Sequence, residues 1–169
     1  MNFDTKFQVF LGALAREKAE FIVSGGLACN LHGTARVTYD LDIVYRRSRD
    51  NYSRLEAALL PFHPYPRGYP RGYPFTFDAV TIRNGTNFTL TTEIGDIDVL
   101  GEIPGGPAYE DLLPDSDEFN GDGIVFRCVN LRRLITLKNI AGRTKDFEVL
   151  AELRHLQRLT SGDTPDAPA

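Results

Sequence analysis

The chain has 169 residues, 42% hydrophobic and 25% charged, the balance of a soluble globular protein of one ordinary domain with a continuous core. Its formal charge of −4, from 19 basic and 23 acidic residues, argues against gripping nucleic acid by bulk electrostatics, so any polyanion has to be met locally. No apolar run approaches the roughly 20 residues that span a bilayer, and MNFDTKFQVF carries acid where a signal peptide carries base, so a cytoplasmic protein with no membrane partner is expected.

Phe7, Phe10, Leu11 and Leu14 recur at helical spacing after Asp4 and Thr5, either of which suits a cap, and this first helix is expected to end near Lys18. Phe21 to Ser24 reads as a short apolar strand broken by Gly25 and Gly26. Leu27 to Leu31 has helical character and ends at His32-Gly33, because glycine takes the left-handed conformation cheaply. Leu41 to Tyr45 is a second strand, and Asp50 starts a helix that Pro61 ends.

The segment YPRGYPRGYP, Tyr65 to Pro74, reads as a loop in which Arg67 and Arg71 alternate with Tyr65, Tyr69 and Tyr73. Arginine offers a planar fork for phosphate and tyrosine a stacking face, which suits a nucleotide. A rigid surface connection packed on the body accounts for it equally well. Three β-rich pieces follow, Thr76 to Ile82, Asn87 to Thr92 and Ile97 to Leu100, with Asn84-Gly85 as a hairpin signal between the first two. Gly121 to Gly123 turns another hairpin. Leu131 to Ile140 and Lys145 to Leu159 are two closing helices separated by Gly142, with Thr144 placed to cap the second. The division expected is a single domain over 1–160 and a disordered tail over 161–169.

Asp40 and Asp42 lie two apart in a strand and project together from one face, while Leu41 and Ile43 turn to the core. Two close carboxylates repel unless a divalent cation sits between them, and hard cations such as Mg2+ take oxygen ligands while keeping sites for water and phosphate. A solvated strand face is the competing reading of so short a pattern. Ser24, Gly25 and Gly26 open a helix at the same sheet end, where backbone amides suit phosphate. Asp96 and Asp98, again two apart in TTEIGDIDVLG, can supply a third acid if that strand lies beside the first pair. Cys29 and Cys128 lack zinc-site spacing and read as buried thiols. His32 at a helix end reads better as a packed or capping side chain than as a base. Arg36, in the connection to Asp40, suits either a phosphate or open solvent. Glu102 and Glu110 read as surface charges.

With these motifs in place, the sequence resembles the DNA polymerase β-like nucleotidyltransferases: Val23-Ser24-Gly25-Gly26, a spacer from Leu27 to Tyr39, Asp40-Leu41-Asp42, and Asp98 on a later strand. More narrowly, GGLACNLHGTARVTYDLD, NFTLTTEIGDIDVLGEIPGGPAYEDLL and LITLKNIAGRTKDFEVLAEL look like the small bacterial members grouped with the AbiEii/AbiGii toxin relatives, from about Phe21 to Leu156. The resemblance implies a minimal α+β nucleotidyltransferase fold, a short mixed sheet with helices packed mainly on one face. It implies that Asp40, Asp42 and Asp98 hold two Mg2+ or Mn2+ ions and that Gly25 and Gly26 contact phosphate. Lys138 would meet the triphosphate of the substrate NTP; Arg143 and Lys145 match a closing Arg-x-Lys-Asp segment in which they contact phosphate and Asp146 orients one of them. Asp96 then takes a supporting or surface role. The activity implied is transfer of a nucleoside monophosphate to a hydroxyl of RNA, tRNA included, of protein or of a small molecule, with a cognate antitoxin as a further partner if the chain is a toxin. Two other classes stay in view: a non-catalytic nucleotide-binding or protein-interaction module on the same scaffold, and a glycosyltransferase, which also uses Asp-x-Asp but needs a longer chain.

Overall fold

The computed structural model describes residues 4–70, 72–142 and 146–161. Arg71, Arg143, Thr144, Lys145 and the tail from 162 lie outside the described residues. The fold is α+β, built on one seven-stranded mixed sheet in the order β3-β4-β5-β2-β1-β7-β6.

Helix α1 (Thr5–Arg16) is capped by the Asp4 side chain, which accepts from the Lys6 N–H, and it buries Phe7, Phe10, Leu11 and Leu14 on one stripe. It stops short of Lys18, which takes a positive φ of 55° and turns the chain into β1 (Phe21–Ser24). All four β1 residues are buried, as befits a strand covered on both faces. Gly25 starts α2 (Gly25–Leu31), and His32 caps it ahead of Gly33 at φ 114°. Strand β2 (Asp40–Tyr45) runs antiparallel to β1, with Ser24 opposite Asp42. Helix α3 (Arg49–Leu59) begins one residue before Asp50 and passes into a 3-10 turn, Leu60–Phe62, that contains Pro61. Proline is tolerated there because the first positions of such a turn need no N–H partner.

Two expectations over 65–85 are corrected. Tyr65–Pro66 is not wholly loop: it forms β3, an edge strand antiparallel to β4 (Asn87–Thr91). The stretch Thr76 to Ile82 is not a strand. Its second half is helix α4 (Ala79–Asn84), because the Asp78 carboxylate accepts the Thr81 N–H at 2.7 Å and caps it, and Ile82 is buried. Asn84-Gly85 therefore ends a helix rather than turning a hairpin, with Gly85 extended at φ −92°. Alternation over seven residues does not distinguish a strand from a capped helical turn whose single apolar residue is buried.

Strand β5 (Asp96–Leu100) pairs antiparallel with β4 and parallel with β2, and α5 (Tyr109–Leu112) follows. The hairpin at Gly121–Gly123 joins β6 (Ser116–Gly121) to β7 (Ile124–Val129), which lies parallel to β1. Helix α6 (Leu131–Ala141) is capped by Asn130 and stopped by Gly142 at φ 57°; α7 (Asp146–Ser161) closes the described chain. Leu41, Ile43, Ile97 and Val99 are fully buried on the central strands. At about 1.5–3 kcal/mol per buried aliphatic side chain, they hold β2 and β5 in register and so fix the opposite face.

Candidate metal and phosphate site

The β2/β5 pairing sets Asp40 opposite Asp96 and Asp42 opposite Asp98. Side chains two apart share a face, so all four carboxylates rise from the same side of the sheet. Asp40, Asp42 and Asp98 each offer an oxygen, and these three atoms lie within 4.8 Å of one another. An octahedral ion with oxygens at 2.0–2.1 Å holds opposite ligands about 4 Å apart, so small rotamer adjustments bring the set to coordinating distance. Burial, then the charges of Asp40 and Asp98, push the Asp42 carboxyl up to about 6. Burial also raises Asp98, against the opposing pull of Arg67. A cluster that resists its own ionisation in this way has an excess of negative charge for a cation to relieve. The donor set, all hard oxygen, fits Mg2+ or Mn2+.

The glycine corner is built against this cluster. Gly25 has φ 63°, and a Cβ placed there falls within 2.8 Å of the Asp42 Cβ and collides with its carboxylate. A Cβ on Gly26 falls within 2.7 Å of the Thr38 Cβ. The Gly26 N–H hydrogen-bonds Asp42. Ser24 is buried opposite Asp42, and its hydroxyl makes no capping bond to α2.

The cationic residues expected at the site fall into three situations. Arg67 lies directly over the acids: its Nη2 donates to Asp98 Oδ1 at 2.9 Å and to the Leu90 carbonyl at 3.0 Å, with Nε 3.2 Å from Asp96 Oδ2 and Nη1 3.7 Å from Asp40 Oδ2. Lys138 is close enough for its charge to lower the pKa of both Asp42 and Cys29, but its Nζ is engaged by the buried Asp146 at 2.9 Å. Arg36 points to α7, 3.0 Å from Glu148 and 3.5 Å from Glu152. Arg143 and Lys145 lie outside the described residues.

The remaining candidates resolve structurally. His32 Nε2 meets the Val129 carbonyl at 2.7 Å and its ring stands edge-on to Phe119, a packed histidine. Asp96 accepts the Thr91 hydroxyl at 2.6 Å, which turns it toward β4 and leaves it outside the three-oxygen set. Cys29 and Cys128 are buried thiols pushed up by that burial, so neither is a ready nucleophile. Glu110 is an exposed partner of Arg46 at 3.4 Å, and Glu102 is exposed beside an isolated bridge to Ala108.

Thr38 was not singled out by sequence reasoning. Its hydroxyl donates to the Asp40 carbonyl at 3.3 Å and its Cβ crowds Gly26, so it joins the glycine corner to β2; its position two before Asp40 was the available signal. The capture of Arg67 by acids about 30 residues distant carried none.

No family model matches the sequence, and no curated protein matches it. Solved structures do match the fold. A Thermotoga maritima protein assigned to the nucleotidyltransferases superposes with TM-score 0.56 at 16% identity, over 88% of this chain and 90% of its own. The antibiotic-resistance factor ANT(2'')-Ia superposes with TM-score 0.57 at 15% identity, over 94% of this chain and 90% of its own. The chain therefore has the nucleotidyltransferase fold.

Proposed function

We propose that this chain is a metal-dependent nucleotidyltransferase that moves a nucleoside monophosphate from an NTP to an acceptor hydroxyl. The convergence of Asp40, Asp42 and Asp98 beside the Gly25 corner carries the reading, and the likeness of fold to nucleotidyltransferase structures supports it. Asp40, Asp42 and Asp98 would hold two Mg2+ or Mn2+ ions. When bound, such ions orient an α-phosphate and lower the pKa of an attacking hydroxyl.

The chain's own residues supply positioning and charge. Asp98, the carboxylate from the later strand β5, is the one assigned to assist deprotonation of the acceptor hydroxyl. Gly25 and Gly26 lack the side chains that would collide with Asp42 and Thr38, so the corner closes onto the acids, and its backbone is the element assigned to polyphosphate. Lys138, Arg67, Arg36, Arg143 and Lys145 are the cations assigned to phosphate, and the first three must leave acidic partners to reach it. Pyrophosphate leaving against that charge is the electrostatic part of catalysis.

The acceptor class is RNA, tRNA included, a protein or a small molecule. The AbiEii/AbiGii resemblance supports the toxin of a toxin-antitoxin pair, with an antitoxin as protein partner. No described helix is long and apolar enough to cross a membrane. Incubation with each α-labelled NTP, Mg2+ and cell extract tests the reading: label should move to RNA, protein or a small molecule and should cease with Asp42→Asn. Nucleotide retained but never transferred, by a folded protein with every NTP, would instead identify a non-catalytic binding module.

A further inference from the structure

Arg67 does more than lie over the acids. Its backbone N–H donates to the Thr89 carbonyl at 2.9 Å, which fixes it at the end of β3 beside β4, and its side chain crosses toward β2 over the carboxylate face. There it lies within 4.0 Å of Asp40, Asp96 and Asp98, two of which belong to the three-oxygen set. Its grip is uneven. The Nη2 bond to Asp98 is short and directed, the Nη1 approach to Asp40 is 3.7 Å, and the buried Nε has no directed hydrogen bond although Asp96 is 3.2 Å away. A guanidinium with a buried donor left over is held by charge more than by fitted geometry.

We propose that Arg67 is the resident cation of the acidic cluster in the metal-free protein, and that it must be displaced from Asp98 and Asp40 before divalent ions are held there. The inference rests on reading Asp40, Asp42 and Asp98 as a metal platform. Arg67 and a divalent ion compete for the same acids: Asp98 Oδ1 already accepts from Nη2, and a guanidinium and a metal ion held a few ångströms apart repel. Without a counterion, four carboxylates on adjacent positions of two strands would destabilise the pairing that sets the site.

Arg67 thus keeps the cluster assembled, lowers its apparent metal affinity, and couples loading to the segment that follows β3. That segment is itself tied down: the Tyr65 hydroxyl donates to the Pro70 carbonyl and accepts the Tyr73 N–H, and the exposed Tyr69 and Tyr73 rings stand 4.7 Å apart.

The test follows the arginine and the metal separately from activity. In 15N-labelled protein, the Nε–Hε resonance of Arg67, identified by its loss in Arg67→Lys, should move progressively as Mg2+ is added. An unmoved resonance while calorimetry records Mg2+ binding would overturn the proposal. In Mn2+ titrations, Arg67→Ala should bind roughly tenfold more tightly than the unsubstituted chain, the effect of removing one charge-assisted competitor. Unchanged or weaker binding by folded Arg67→Ala would also overturn it. Should Arg67→Ala not fold, Arg67→Gln carries the same expectation and the same refutation. Asp42→Asn is the control for the underlying reading: if it binds Mn2+ as well as the unsubstituted chain does, the metal platform itself fails, whereas failure of the Arg67 arms alone leaves the platform intact.

Discussion

Replacing Asp42 by asparagine is expected to stabilise the metal-free protein at neutral pH. The carboxyl sits at about 6 in the fold against an ordinary 3.8, chiefly through burial and then through Asp40 and Asp98. A group whose folded pKa is raised binds its proton more tightly folded than unfolded. Stability therefore falls as pH rises from about 4 to about 6, and the whole penalty is present above 6. At 1.36 kcal/mol per pKa unit this is about 3 kcal/mol. The asparagine side chain removes the ionisation but accepts the Gly26 N–H more weakly than a carboxylate, a loss of up to about 1 kcal/mol, leaving a net gain of about 2 kcal/mol. For a chain of this size that corresponds to about 4–8 °C in Tm.

Thermal melts by circular dichroism in chelator, at pH 7.5 and at pH 4, check the sign and its origin. The Asp42→Asn protein should melt higher at pH 7.5 and lose its advantage at pH 4, where the unsubstituted carboxyl is protonated in the fold. Saturating Mg2+ at pH 7.5 should reverse the order, since ligand at 100 times Kd stabilises the unsubstituted chain by about 2.7 kcal/mol. An Asp42→Asn protein that melts at or below its parent at pH 7.5 without metal, or that keeps the same advantage at pH 4, would refute the account of Asp42 as a carboxylate held against its own charge.

Other substitutions separate positioning from support. Lys138→Met strands the carboxylate of Asp146, 4% exposed and with one oxygen already lacking a hydrogen-bond partner among the described residues, and is expected to cost about 3–5 kcal/mol. The double variant Lys138→Met/Asp146→Leu should recover most of that in melts while nucleotide transfer stays low, if the pair holds structure and the lysine has the phosphate-contacting role proposed for it. Gly25→Ala adds about 1–2 kcal/mol of left-handed strain to a collision with Asp42, so it should lower both Tm and Mn2+ affinity, read in one titration series. Asp98→Asn should weaken Mn2+ binding roughly tenfold more than Asp96→Asn, since Asp96 is turned to Thr91 and supports the site rather than facing the ion.

Much of this arrangement was legible in the sequence because it follows from strict periods. Asp-x-Asp in a strand of alternating burial fixes two carboxylates on one face, and Gly25-Gly26 after the apolar run Phe21 to Val23 and Ser24 marks a corner that a side chain would obstruct. The apolar stripes of α1 and α3, and the hairpin at Gly121–Gly123, are local signals of the same kind. What escaped depends on distant partners or on a single cap. Helix α4 turns on the Asp78–Thr81 bond, and the edge strand β3 exists only because β4 offers it a ladder. Arg36, read as facing either a phosphate or open solvent, and Lys138, read as meeting a triphosphate, are both paired with α7 through Glu148, Glu152 and Asp146, a helix more than a hundred residues after the first of them.

The geometry of the acidic site is stored on the side of the sheet that no substrate would touch. β2 is antiparallel to β1 and parallel to β5, so the third carboxylate faces the first two only in the register Asp42 opposite Asp98. A slip of one residue would turn Asp96 and Asp98 into the core and bring Ile97 and Val99 outward. Leu41, Ile43, Ile97 and Val99 forbid it by their burial, and Arg67 with Thr91 adds polar restraint at the surface. Three carboxylates that repel one another are thus held within 4.8 Å by aliphatic packing beneath them, with a guanidinium above. An enlarged or polar residue at Ile97 should consequently disturb metal affinity before it unfolds the chain, although it touches no ligand. Mn2+ titration of Ile97→Thr at a temperature well below its melt decides this: affinity equal to the parent's would mean that the face is organised from above, by Arg67 alone.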